Sequence, residues 1–143
     1  MFMKDEYSEA SPAVLIGAAA LDADNTPAAV DLQGFMACNI EIAVGVGGIT
    51  FTSTNKVEFT LTHSDDNSTY TAVTDADMLG VTGITDGIIK SLVAAHAAAA
   101  VYHYGYVGGK RYLKLLANFG GTHAAATPMA AVAYRTCSTK SPV

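Results

Sequence analysis

The chain has 143 residues, half of them hydrophobic and only 15% charged, with a formal net charge of −5. Soluble domains usually carry roughly 25% charged residues, and the cations here are too few and too scattered for a specific nucleic-acid footprint. The length suits one domain with a real core.

Positions 1–11 read as a flexible N-terminal arm, and 12–143 as a single domain. The first apolar run, AVLIGAAAL (13–21), has the length of a strand. It is too short and too poorly flanked for an export or membrane segment, so a cytoplasmic origin and no membrane partner are expected. DADNTP (22–27) closes it with turn residues. In MACNIEIAVGVGG (36–48), Ile40, Ile42, Val44 and Val46 alternate with smaller or polar residues, the period of a half-buried strand.

KVEFTLTH (56–63) is the clearest strand, with Val57, Phe59 and Leu61 on one side and Glu58, Thr60 and Thr62 on the other. STYTAV (68–73) is its expected partner, and 74–87 a long loop. IIKSLVAAHAAAA (88–100) has apolar residues at helical spacing and alanines that favour helix, so one short helix or an irregular crossover is predicted within 88–99. AVYHYGYVGGKRYLKLLANFGG (100–121) reads as a hairpin turning at Gly108–Gly109. MAAVAYR (129–135) supplies a last strand. Short strands with Gly-rich turns predict an all-β fold, an antiparallel β-sandwich of jelly-roll type with at most one short helix.

The polar knot HSDDNST (63–69) admits three readings. A calcium loop would need Gly where Tyr70 stands and Glu where Ala76 stands. A catalytic triad cannot converge from three consecutive strand residues, and GxSxG, HExxH and P-loop patterns are lacking. Asp, Asn and Ser do suit a tight turn, because they bond their own backbone and tolerate left-handed φ. The turn is the preferred reading; no metal, cofactor or catalytic residue is expected, and Asp65 and Asp66 are at most a docking surface.

Cys38 and Cys137 are too few for a four-ligand zinc site; free buried thiols are favoured over a bridge. All thirteen acidic residues lie in positions 1–90, and five of the eight bases follow them. If folding preserved that asymmetry, the surface would be bipolar.

Three motifs stand out: K-x-E-F-x-L-x-H-S-D-D at Lys56–Asp66, Y-x-x-V-x-D-A-D at Tyr70–Asp77, and G-Y-x-G-G-K-R-Y-x-K-L at Gly105–Leu115. Together they resemble small structural proteins of tailed bacteriophages, usually found among the head genes, over about residues 30–135. The resemblance implies a non-enzymatic capsid decoration (cement) protein of the virion, made in the host bacterial cytoplasm. Its implied partners are the major capsid protein and further copies of itself, as a trimer or a lattice on the shell. A weaker likeness, to discoidin-like sandwiches, supports a jelly roll; Asn67 stands where that pattern has Gly. A carbohydrate or host-surface binding module is the alternative, as is a neck or tail component.

Candidate contact residues follow. Lys110 and Arg111, beside the Gly-Gly tip, could meet carboxylates of a neighbour or serve as solvated strand-end charges. Tyr104, on one face with Tyr102 and Tyr106, could be interface or core.

Overall fold

The computed structural model describes residues 6–138. Ten strands follow in order: β1 (Ser11–Leu21), β2 (Val30–Asp31), β3 (Phe35–Val44), β4 (Lys56–Ser64), β5 (Thr71–Ala72), β6 (Met78–Leu79), β7 (Ile88–Leu92), β8 (Ala100–Tyr106), β9 (Tyr112–Gly120) and β10 (Thr127–Ser138). The first sheet runs β1-β10-β3-β8-β6, and the second β2-β9-β4-β5, with β7 also paired to β4. Every pairing is antiparallel.

First strand pairs with last, second with ninth, third with eighth, and fourth with seventh. That is one long antiparallel ribbon wrapped on itself, the connectivity of a jelly roll; β5 and β6 are short additions. The core lies between the sheets because each long strand alternates. Ile40, Ile42 and Val44 of β3 face Val57, Phe59 and Leu61 of β4 and Leu113, Leu115 and Ala117 of β9 across the sandwich, all almost fully buried. Burying a large aliphatic or aromatic side chain stabilises by about 1.5–3 kcal/mol.

Three expectations change. The segment 88–99 holds no helix: Ile88–Leu92 is β7, paired with β4, and 93–99 is irregular. β-branched Ile88 and Ile89 suit a strand, and the exposed alanine stretch is too short to nucleate a helix alone. The one helical turn among the described residues is the 3₁₀ turn Asp75–Asp77. Second, 100–121 is not a hairpin, because β8 pairs in the first sheet and β9 in the second. Gly109, at φ 72, helps carry the chain between sheets. Third, of the expected arm, 1–5 lie outside the described residues. Residues 6–10 make a turn, with the Glu9 amide donating to the Glu6 carbonyl, and Ser11 already pairs with Arg135.

Val46 is exposed, since β3 ends at Val44. Both cysteines are free, but Cys38 alone is buried, with its thiol pushed up to about 12 by burial; Cys137 is exposed. The charge asymmetry of the sequence does not survive as two separate halves. Strands of both halves interleave, and Arg111 pairs with Asp31 at 2.8 Å.

A buried polar bond ties the sheets together. His63 Nδ1 of β4 lies 2.8 Å from the Tyr106 hydroxyl of β8. The same hydroxyl accepts the Lys110 amide at 3.1 Å. The hydroxyl thus joins the imidazole of one sheet to the loop that leaves the other.

Burial is the main cause holding His63 below its ordinary 6.5, and the nearby Lys110 charge adds to it against Asp77 and Asp65. The unfolded chain thus takes up a proton at higher pH than the folded one. Stability is full above pH 6.5 and falls as pH drops toward the lowered folded value. The depressed carboxyls of Asp31, Asp66 and Asp75 act separately, below 3.8. The urea midpoint is expected to be lower at about pH 5 than at about pH 8, and His63→Asn should flatten much of that slope. Equal midpoints for the unaltered chain would contradict this account.

Candidate functional site

The knot at 63–69 is a turn. Asp66 Oδ1 accepts the Ser68 and Thr69 amides at 2.9 Å each and the Ser64 hydroxyl at 2.8 Å. Those donors, the Thr69 amide first, bring its carboxyl down to about 2. Asn67 takes φ 58, and its side-chain oxygen accepts the Tyr70 hydroxyl. Asp66 thus spends its charge inside the turn. His63 is buried, with its imidazole against the Tyr106 hydroxyl.

Asp65, Lys110 and Arg111 meet in one place, a cleft of about 490 Å³. Its walls are the start of β3, Leu79 of β6, the end of β8 and the loop to β9. They converge because β3, β8 and β6 are neighbours: Cys38 pairs with Tyr106 and Leu79 with Gly105. The rim is apolar. Met36 is 80% exposed, and Leu79 and Val107 are also largely open.

Arg111 is already committed. Its Nε and Nη2 both reach the Asp31 carboxylate, at 2.9 and 2.8 Å, and its guanidinium lies over the Tyr112 ring at 4.9 Å. The Arg111 hydrogen bond is the main cause lowering the Asp31 carboxyl. Arg111 therefore forms within the chain the bidentate pair that the sequence offers to a neighbour. Lys110 is more available: it is half-buried, and among the described residues its ammonium has one long contact, to the Thr71 hydroxyl at 3.4 Å. Tyr104 is 8% exposed and belongs to the core, so it is corrected from contact candidate to packing residue. Asp66 and Tyr104 both lie outside the cleft lining.

The sequence reading missed Asp31, the partner of Arg111, and the apolar rim. Met36 stands in an apolar run that reads simply as strand, and nothing local announces that it points outward. The buried Cys38 thiol stays protonated, so the cleft wall offers apolar and charged contacts and not a thiolate. The arrangement suits binding: charged side chains stand among exposed apolar ones around one cleft.

Tyr104→Ala is expected to lower unfolding free energy by about 3–5 kcal/mol, as large core truncations do. Lys110→Ala should leave the melting temperature of the isolated chain within a degree or so, since its ammonium gives up only the long contact to Thr71. The reverse pattern in thermal melts would place Tyr104 at a surface and Lys110 in the framework. A calcium chelator should not shift the melting temperature, because Asp66 is already satisfied by backbone amides; a large drop would make the 63–69 turn a metal loop.

No protein family, curated protein or solved structure matches this chain. The jelly-roll connectivity and the cleft within 32–39, 65, 79 and 105–111 are therefore the structural basis for a functional reading.

Proposed function

We propose that this chain is a non-enzymatic virion structural protein, a capsid decoration (cement) protein that binds the shell of a bacteriophage head. The motifs that resemble phage structural proteins fall on β4 with its turn and on the β8–β9 crossover. The observation that carries the reading is the cleft: Met36, Leu79 and Val107 stand exposed around Asp65 and Lys110. Exposed apolar side chains around charged groups have the composition of a contact patch. The partner in this reading is the major capsid protein, and the protein acts in the virion after synthesis in the host bacterial cytoplasm. Further copies of the chain are its second partner.

A carbohydrate-binding module would need open aromatic faces. Tyr70 and Tyr112 lie at the surface of the second sheet, but Lys114 sits 4.3 Å over the first ring and Arg111 4.9 Å over the second. One face of each ring is thereby taken, and the shell reading is preferred.

Purified particles should contain the protein at a copy number comparable to the shell subunit. A handful of copies would point to a neck or tail position, and none would remove the virion reading. Met36→Asp should lower occupancy on stripped shells about tenfold or more, since an apolar anchor of this size contributes about 2 kcal/mol. Its exposure means that the isolated fold should melt as before. Unchanged occupancy would take the cleft out of the contact.

A further inference from the structure

The outer face of the first sheet is almost without charge. Strand register sets its side chains in rows. Val14, Val132, Glu41 and His103 form one row. Ala130, Ala43 and Val101 flank it on one side; Tyr134, Asn39, Gly105 and Leu79 flank it on the other. Val101 is 66% exposed, and Val14 and Leu79 are also open. One end of the face is hollowed by about 580 Å³ between alanines of β1, β3, β8 and β10.

An antiparallel sheet facing water normally turns polar residues outward. Among the described residues, this face carries one carboxylate, Glu41, and one imidazole, His103, side by side with Nδ1 and Oε1 3.5 Å apart. Glu6 reaches its margin through the Tyr134 hydroxyl. Lysine and arginine do not appear in these rows.

We propose that a second copy of this chain covers the face, through a two-fold axis lying in the interface, parallel to the strands and between β3 and β8. A two-fold contact sets residue i against j and j against i. Glu41 of each copy then lies over His103 of the other, Ala43 over Val101, and Tyr134 over Leu79. Facing sheets pack about 10 Å apart with strands within roughly 30°, close enough for these side chains to interdigitate. Self-complementary pairing of an acid with an imidazole selects the occupant. The acid and the imidazole are adjacent and exchange places under the axis, so a second copy answers both. The inference concerns the self-association in the proposed function, and sets a two-fold contact in place of a trimer. It does not require the shell.

The test is sedimentation of the full chain over a wide concentration range. The unaltered chain should be dimeric. Val101→Asp should weaken the dimer about tenfold or more, since each copy then buries a carboxylate against Ala43 of the other. Glu41→Lys alone and His103→Glu alone should each weaken it, and an equimolar mixture of those two should dimerise again, because the mixed dimer sets the new lysine over the new glutamate and keeps one unaltered Glu41–His103 contact. Thermal melts check that every variant is folded. A chain that stays monomeric, a Val101→Asp variant that dimerises normally, or a mixture that gains nothing would each overturn the proposal. A free monomer that still binds shells would overturn the second copy as occupant and leave the shell reading standing; a dimer that ignores shells would do the opposite.

Discussion

The ladder between β1 and β10 closes this fold, and the rest depends on it. It joins Ser11 to Arg135 and Leu21 to Thr127, the two ends of the domain. Between those ends the strands pair inward in turn, until β4 meets β7 at the far end of the ribbon. Neither half of the chain can bury its apolar stripe alone, because β10 lies between β1 and β3, and β9 between β2 and β4. Such non-local pairing costs loop entropy before contacts reward it, which makes jelly rolls slow folders as a class. Arg135 reinforces the closure. Its guanidinium donates to the Ser11 carbonyl and hydroxyl and to the Asp31 carbonyl, all at 2.8–2.9 Å, and lies over the Phe35 ring. One side chain thus links the ends of β1 and β10 to β2.

What the sequence discloses follows from how far a signal reaches. The alternation in Val57, Phe59 and Leu61, and in Leu113, Leu115 and Ala117, is a property of each strand alone, and all six side chains are buried. The turn at Ser64–Thr69 is equally local, since its donors lie within three residues of Asp66. The crossover at Gly108–Gly109 is different. Two glycines permit a turn, but which sheet receives the returning strand is decided by Leu113 and Leu115 pairing with His63 and Leu61. In the same way, helical spacing in 88–93 yields to the hydrogen bonds that β4 offers to Ile88–Leu92. The candidate site was legible in pieces: Asp65, Lys110 and Arg111 share a cleft, whereas the tie from Arg111 to Asp31 spans eighty positions and leaves no mark in spacing.

The two sheets also differ in what they show to solvent. The second bears lysines and tyrosines on its outer side, stacked as Lys114 on Tyr70. Among the described residues, the first bears mostly alanine and valine around the Glu41–His103 pair. A sandwich needs its inner faces apolar; it has no need of an apolar outer one, which lowers solubility and gives nothing to the core. That excess is what the proposed contact with a second copy would cover.

The Tyr106 hydroxyl stands between His63 of one sheet and the amide of Lys110 on the connecting loop. A Cβ on Gly108 would come within 2.7 Å of the Tyr106 ring, so the loop is drawn tightly over that ring. The margin of the cleft is thereby anchored to the core and not suspended from its two strands. A visitor at Lys110 meets a surface whose shape was settled during folding. Little backbone freedom remains to be surrendered on docking, so even a modest contact area can hold. The same anchoring makes the margin intolerant of bulk: any side chain at position 108 must push Tyr106 aside, and with it the bond that joins the sheets.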